Sequence, residues 1–389
     1  MTLIPIDEAR KIIDKSTFSI NKKDKTISIF QAVRKILVEN IRAKKSIPER
    51  PLSAMDGYAI RYEDYLKYGK LRIIGKIYPF EKDIPQLKEG EAYYITTGSP
   101  LPANADTVVP IENSRIEGEY VIFRGDVKKG KNIKEEGEDI KANDLILAKG
   151  TEITPYHLGL LIQQDIYNVR ISDLTFSIFA NGDEISPFDY PEKNKIADSI
   201  SPILVKLLEK FGNVVYLGVA KDDINSVTEK IQKALEISDI IISIGGSSVG
   251  EKDYVKKAIS KLGELLFEGV SVNIIKRGSV GLINGKPIIV LPGQVVSAIV
   301  TFHEFGLLIL SKILDTNLKK IVKSYLSEDI YVSHTMDSTY LFKVEGNNAK
   351  PLRWGTGLYS EITKANSFAL LKRNVLYKKG EEIELQLFL

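Results

Sequence analysis

The stretch from residue 239 to residue 254 reads DIIISIGGSSVGEKDY: a run of isoleucines that breaks into glycines and serines and ends on acidic residues. A strand, a glycine-rich turn and a helix start are how α/β proteins present backbone N–H groups to a phosphate. The helix is predicted by apolar residues at the spacing of one helical face, namely Val255, Ala258, Ile259 and Leu262. An ordinary βα turn with solvated serines is the alternative, because glycine-rich turns are common.

Strand and helix signals alternate around this stretch, from Leu174 to Leu314. Four short runs rich in β-branched residues predict buried strands, over 174–180, 214–219, 239–244 and 287–291. Between them, apolar residues with helical spacing predict helices over 203–211 and 224–235, the second with Asp222 or Asp223 as its N-cap. This alternation predicts a largely parallel sheet flanked by helices.

Three polar loops follow strands of that predicted sheet, over 181–184, 245–253 and 292–294. Ligands of such sheets bind beyond the carboxyl ends of the strands. We therefore expect the three loops to converge on one edge and to form a binding site there.

The remaining segments have other patterns. Residues 5–10 and 30–41 are predicted to be helical, and Thr154-Pro155 predicts a further helix start. Residues 53–149 contain short strand-like runs broken by Gly, Pro and Asp, which is typical of a β-rich domain. After Leu314, strand-like runs predict a small β domain.

Composition excludes several classes of function. Among 389 residues there are 54 basic and 51 acidic ones, so no global field attracts nucleic acid or a membrane surface. The absence of cysteine excludes disulfides and thiolate metal sites. The three histidines are widely spaced, which makes a histidine-rich zinc site improbable, so a bound divalent ion would depend on carboxylates. We see no run of roughly 20 apolar residues that could span a bilayer and no signal-peptide layout, and we expect a cytoplasmic protein.

Two further stretches carry polar side chains in constrained turns. RPLSAMDGYAI, residues 50–60, places Asp56 before a glycine, which predicts an exposed carboxylate at the start of a strand. TTGSPLPANADTVVPIE, residues 96–112, carries the hydroxyl of Thr97 in a loop restricted by prolines. Either stretch alone could be a solvated turn.

Together and in this order, the three stretches resemble the MoeA and gephyrin E-domain family, the molybdopterin molybdenumtransferases. The likeness covers nearly the whole chain. Shared motifs also include GEDI at 137–140, GDEI at 182–185, DS at 198–199, LPG at 291–293, GTG at 355–357 and ANS at 365–367.

The resemblance implies a multidomain α/β plus β architecture. A split helical domain is expected at 1–50 and 140–172, an inserted β domain at 51–139, a three-layer α/β molybdopterin-binding domain at 173–317, and a C-terminal β barrel at 318–389. Family members act as elongated homodimers, so Asp56 and Thr97 would face the Gly245 loop of a partner copy. Other proteins of cofactor biosynthesis are possible partners, whereas nucleic acid and membranes are not expected.

The resemblance also implies the chemistry of the site. The family inserts molybdate into adenylylated molybdopterin, a pterin dithiolene joined to AMP through a pyrophosphate, and releases AMP; tungstate is a second candidate oxyanion. Asp253, with Asp183 and Asp222, would hold Mg²⁺, for which carboxylates are suitable ligands. Asp56, Asp253 and Lys276 would be catalytic. Contacts to the substrate are expected from Thr97, Gly182, Asp183, Glu184, Gly245, Gly246, Ser247, Ser248, Gly250, Pro292, Gly293, Ser297, Lys343 and Thr356.

The sequence departs from the family around this pocket. Ser279 stands in place of the second lysine of Lys-Pro-Gly-Lys, and Gln294-Val295 in place of Asn-Pro after Leu-Pro-Gly. Ile244 replaces a hydroxyl residue, Asn181 a threonine and Ile200 an asparagine. Losing a hydrogen-bonding side chain costs roughly 1–3 kcal/mol where a buried partner remains.

Two hypotheses follow from these departures. The first is a working transferase with an altered pocket. The second is a catalytically impaired paralogue that binds molybdopterin precursors or partner proteins as a scaffold. A third, weaker one is a plain nucleotide-binding α/β domain that binds ATP and is indifferent to molybdopterin.

Overall fold

A six-stranded sheet organises the second half of the chain. The computed structural model describes residues 2–20, 24–246 and 253–389. The strands, in spatial order, are Gly212–Ala220, Leu174–Asn181, Ile240–Ile244, Lys286–Leu291, Ser279–Ile283 and Glu264–Phe267. The first four are mutually parallel, and Ser279–Ile283 runs antiparallel to Lys286–Leu291. Glu264–Phe267 is antiparallel to Ser279–Ile283 and so runs in the direction of the first four, which confirms the predicted, largely parallel sheet.

Helices cover both faces of this sheet because its central strands are apolar on both sides. Ile240 and Ile242 pack into one core cluster, whereas Ile241 between them packs into the other. The helices are Ser201–Leu208, Ile224–Ile237, Tyr254–Leu262, Val295–Thr301 and Leu307–Leu314. Asp223 caps the second of these by accepting from the N–H groups of Asn225 and Ser226, so the predicted N-cap is confirmed. The three-layer α/β architecture is confirmed.

The helical run Val295–Leu314 corrects one sequence expectation. By length and composition it could cross a membrane, contrary to our reading that no such run exists. It is nevertheless 83% buried inside the protein, as expected for a core helix. A five-residue π-helical segment, Phe302–Gly306, interrupts it.

A closed β barrel follows the sheet. Its five strands, in order around the barrel, are Asp337–Glu345, Asn348–Pro351, Ile321–Leu326, Glu382–Leu387 and Ser367–Leu371, the last of which pairs again with the first. The short strand Val272–Asn273 pairs with the strand Asp337–Glu345. Strands Ile330–Tyr331 and Leu376–Tyr377 pair separately, and Tyr359–Ile362 is a single helical turn. The predicted C-terminal barrel is confirmed.

The N-terminal part of the chain contains less helix than predicted. Helices Ile6–Lys15 and Ile29–Ala32 are present, and strand Asp24–Ser28 pairs with Asn168–Ser172. The helix predicted over 30–41 is wrong. Arg34 adopts φ +68°, and Ile36 and Leu37 then form β-bridges to Glu152 and Ile171. Their apolar side chains are buried by tertiary strand pairing, which outweighs the helical spacing.

A second compact unit comprises residues 40–148 and 160–166; the first comprises 2–39, 149–159 and 167–389 within the described chain. The second unit contains a six-stranded sheet in the order Thr107–Pro110, Gly57–Ile60, Glu91–Ile95, Lys70–Ile77, Tyr120–Phe123 and Ser114–Glu117. Its other elements are strands Ile41–Arg42, Leu52–Ser53, Ile133–Lys134 and Leu145–Leu147, helix Tyr62–Tyr68 and the 3₁₀ turn Ile111–Asn113. Helix Pro155–Gln163 begins where Thr154-Pro155 predicted. The predicted domain boundaries stay predictions.

Candidate functional site

Three loops meet at the carboxyl ends of the parallel strands, as expected from the sequence. The Gly245 N–H donates to the Leu291 carbonyl at 2.9 Å, and the Gly182 N–H donates to the Ala220 carbonyl at 3.1 Å. A Cβ on Gly245 would lie 2.8 Å from the Asn181 carbonyl oxygen, and Gly245 has φ +82°. Only glycine fits both this close approach and this backbone conformation.

These loops border a cleft of about 600 Å³. That volume lies in the range of small-molecule sites. The predicted site residues that line it are Glu184, Gly245, Gly246, Lys276, Pro292, Gly293, Ser297 and Thr356. The structure therefore brings together about half of the residues singled out from the sequence. They come from three strand-end loops, the segment around Lys276, the helix Val295–Thr301 and the C-terminal barrel domain.

Two cations face this cleft from one turn. Lys276 and Arg277 line it, and neither side chain has an ion-pair partner among the described residues. Two residues earlier, the buried Ile274 adopts φ +76°, which is a strained conformation for a β-branched residue. Strain of this kind costs about 1–3 kcal/mol and clusters at ligand sites. A cleft with two unpaired cations and glycine-rich backbone is suited to an anion.

The predicted metal ligands are arranged differently. Asp183 and Asp222 each accept a hydrogen bond from the other's backbone. The Asp222 N–H donates to Asp183 Oδ1 at 3.3 Å, and the Asp183 N–H donates to Asp222 Oδ2 at 3.4 Å. Asn181 Nδ2 also donates to Asp222 Oδ1 at 2.8 Å. Neither acidic residue is among those lining the cleft.

Asp253 caps the helix Tyr254–Leu262. Its Oδ1 accepts from the Lys256 N–H at 3.2 Å, and its Oδ2 lies 3.0 Å from Lys256 Nζ in a largely buried ion pair. Across residues 2–20, 24–246 and 253–389, no three acidic or histidine side chains are grouped closely enough to hold a metal ion. The magnesium assignment of Asp183, Asp222 and Asp253 stays a prediction that this arrangement does not support.

Other predicted residues lie elsewhere. Lys343, on a barrel strand, is exposed, forms an ion pair with Glu345 at 2.6 Å and does not line the cleft. Gly182 follows the strand Leu174–Asn181 but is not a lining residue either. The predicted contacts from Ser247, Ser248 and Gly250 lie outside the described residues.

Asp56 and Thr97 belong to the second unit and form a local motif there. Asp56 is exposed just before the strand Gly57–Ile60, as predicted. Its Oδ1 accepts from the Thr97 N–H at 2.6 Å and from Thr97 Oγ1 at 2.8 Å. These two hydrogen bonds lower the pKa of Asp56 and hold its carboxylate ionised and oriented.

The substituted positions divide into two groups. Asn181, Ile200, Ile244 and Gln294 line the cleft, so these exchanges change its chemistry. Ser279 and Val295 do not line it, and the Ser279 hydroxyl donates to the Glu268 carbonyl at 2.8 Å. Replacement of the family lysine by Ser279 therefore removes a charge without placing a new group in the cleft.

The sequence predictions gave no site role to several residues that line the cleft, chiefly Asp198, Trp354 and Tyr359. Asp198 is buried, and its carboxylate accepts hydrogen bonds from the Ser201 N–H at 3.0 Å and from the Tyr216 hydroxyl at 2.9 Å. Burial and the neighbouring Asp198 carboxylate raise the pKa of Tyr216, so this phenol stays protonated. Two signals were available in the sequence: Asp198 belongs to the DS motif at 198–199, and Trp354 is the only tryptophan.

Comparisons with known proteins identify the family of this chain. Residues 4–164 match a family model described as "MoeA N-terminal region (domain I and II)", and residues 177–312 match one described as "Probable molybdopterin binding domain". A Methanocaldococcus jannaschii protein named for molybdopterin biosynthesis is 32% identical over 99% of this chain and 98% of its own length. The molybdopterin molybdenumtransferase of Staphylococcus epidermidis is 30% identical over 84% of this chain and 80% of its own length.

A solved structure gives the same result for the fold. The molybdopterin biosynthesis MoeA protein of Pyrococcus horikoshii superposes with a TM-score of 0.82 over 100% of both chains, at 26% identity. The chain therefore belongs to the MoeA and gephyrin family, the molybdopterin molybdenumtransferases, and is a transferase of molybdenum cofactor biosynthesis.

Proposed function

We propose that this protein inserts molybdate or tungstate into adenylylated molybdopterin in a Mg²⁺-dependent reaction that releases AMP. The observation that carries the proposal is the pair Lys276 and Arg277, which line the cleft without ion-pair partners among the described residues. A dianionic oxyanion and a pyrophosphate both require such cations, and a guanidinium can bind an oxyanion in a bidentate manner.

The glycine loops support the same substrate. Gly245 and Gly293 come close together, since a Cβ on Gly293 would lie 3.6 Å from the Gly245 Cα. Backbone without side chains lets phosphate oxygens approach N–H groups directly. Ser297 lies at 2% exposure in the cleft wall and adds a hydroxyl.

We assign no step to Mg²⁺. The described acidic residues do not form a group that fits a metal ion, and Asp253 is already paired with Lys256. A bound Mg²⁺ would supply charge neutralisation at the pyrophosphate. Asp56, Thr97 and a homodimer enter the proposal through the family resemblance, and sedimentation of the purified protein tests the dimer.

The test is AMP release. The protein is incubated with adenylylated molybdopterin and molybdate or tungstate, with and without Mg²⁺, and AMP is measured by chromatography. Loss of one charge-assisted hydrogen bond costs about 1.5–3 kcal/mol of binding free energy. Lys276→Ala is therefore expected to weaken the affinity for molybdate or tungstate by about 10- to 150-fold. Lys233→Ala, an exposed lysine on helix Ile224–Ile237, is the matched control and should behave as wild type.

A second candidate function is favoured by a specific observation. Ile200 and Ile244 place apolar side chains in the cleft where the family has polar ones. A scaffold that binds molybdopterin without turning it over would then be expected. Tight binding of adenylylated molybdopterin with no AMP release under any of these conditions would favour the scaffold, and no binding at all would contradict both functions.

A further inference from the structure

An aromatic side chain lines the same cleft as the cations Lys276 and Arg277. Trp354, the only tryptophan in the sequence, lines the cleft and is 37% exposed. Its indole N–H makes no hydrogen bond with the described residues. A small inorganic anion would leave this apolar indole surface in contact with water. Covering the indole with a flat group of the ligand would instead contribute favourable binding free energy.

The indole is supported from one side. The His334 ring lies with its centroid 4.1 Å from that of Trp354 and at an interplanar angle of 32°, a close, tilted ring contact. Tyr340 packs beside His334 with centroids 6.2 Å apart. Within the described part of the chain the indole has no second ring partner. A ring fixed in this way loses little conformational freedom when a ligand stacks on it.

The segment that carries Trp354 is anchored to the α/β domain. The Thr356 carbonyl accepts from the Val296 N–H at 2.9 Å, at the start of the core helix. The hydroxyls of Tyr359 and Ser199 are hydrogen-bonded to each other. Since Trp354 lies two residues before the first of these anchors, contacts with a helix and a loop of the α/β domain help to fix its position at the cleft.

We propose that Trp354, backed by His334, is a stacking platform for a flat heteroaromatic ring of the substrate. This inference rests on the proposed function, in which the cleft takes adenylylated molybdopterin. A flat ring covalently linked to a phosphate matches a cleft that combines an indole with the cations Lys276 and Arg277. The substrate carries two such rings, adenine and pterin, and the experiment separates them.

Binding is measured by calorimetry and by quenching of the Trp354 fluorescence, which has no competing tryptophan signal. The probes are AMP, pterin 6-carboxylate and ribose 5-phosphate, the last being AMP without its ring. We expect quenching by AMP or by the pterin, whichever ring stacks, and none by ribose 5-phosphate. Trp354→Ala should weaken the ring-bearing probe by about 10- to 100-fold and leave ribose 5-phosphate unchanged, and Trp354→Phe should retain most of the affinity.

Two further variants make the result specific. His334→Ala removes the support and should produce a smaller loss, whereas Tyr156→Ala removes a 91% exposed aromatic that does not line the cleft and should produce none. Equal affinity of wild type and Trp354→Ala for both ring-bearing probes overturns the inference, even if wild type releases AMP in the transferase assay. Ring-dependent quenching in a protein that releases no AMP supports the platform and contradicts the proposed function instead.

Discussion

His303 is expected to make the stability of this protein depend on pH. It lies in the π-helical segment Phe302–Gly306 and is 1% exposed. Its Nδ1 lies 2.8 Å from the Ile299 carbonyl oxygen, and its Nε2 accepts from the Leu389 N–H at 3.1 Å. Because Nε2 accepts, Nδ1 carries the proton, and the neutral ring is satisfied at both nitrogens.

Burial is the main reason that the pKa of His303 falls from 6.5 to about 4, and the nearby Lys210 and Lys319 lower it further. The unfolded chain therefore takes up a proton near pH 6.5, whereas the folded chain does not until about pH 4. The stabilisation from a neutral His303 is complete above the unfolded pKa and is lost as the pH falls toward the folded one. From about pH 7.5 to about pH 5 the loss amounts to about 2 kcal/mol, from 1.36 kcal/mol per pKa unit.

The assay is urea unfolding followed by Trp354 fluorescence and far-ultraviolet circular dichroism, for wild type and His303→Gln. Glutamine does not titrate and offers both a donor and an acceptor. We expect the variant to be less stable than wild type at about pH 7.5 by about 1–3 kcal/mol, since buried hydrogen bonds are perturbed. That difference should shrink by about 2 kcal/mol at about pH 5.

Subtracting the variant from wild type isolates His303. Other acid-sensitive groups, including the neighbouring Glu304, are present in both proteins and cancel in the difference. If the two stability profiles run parallel between these pH values, His303 does not stay neutral as the structure implies, and the reasoning is refuted.

Two other perturbations follow from the same structure. Glu304 and Asp7 both pair with Arg10, but the Glu304 side chain is 4% exposed and the Asp7 side chain is 71% exposed. Glu304→Gln should therefore lower the free energy of unfolding by about 3–5 kcal/mol, and Asp7→Asn should lower it by less than about 1 kcal/mol. Equal losses in urea unfolding would contradict this. Gly245→Ala should weaken molybdate binding in calorimetry because its Cβ would press on backbone, whereas Gly346→Ala, with a similar positive φ and open space around it, should leave binding unchanged. Equal binding by the two alanine variants would show that the loop tolerates a side chain at position 245.

The sheet and its site were predictable for a local reason. The strands around Ile240–Ile244 are continuous apolar runs, and such runs are stable only when both faces are covered by helices. The glycines that follow mark where the backbone must turn and approach closely. Gly245 and Gly293 could therefore be assigned to one edge before the register of any strand was known.

The failures also have local explanations. Residues 30–41 have helical spacing, yet Ile36 and Leu37 are buried by strand pairing with residues far along the chain. Asp253 is acidic and precedes a helix, which suits a metal ligand and an N-cap equally well. Only the position of Lys256 distinguishes the two roles in the described residues.

The sequence by itself determined the family, the four parallel strands with the helices between them, and the loop edge where the cleft lies, because these depend on local apolar periodicity and on glycine. Tertiary structure decided which side chains share the cleft. Trp354 and Lys276 are 78 residues apart and come from the barrel and the α/β domain, and no local pattern encodes their convergence. It depends on how the segment around Thr356 is hydrogen-bonded to the core helix, a long-range contact that forms only when both domains are folded.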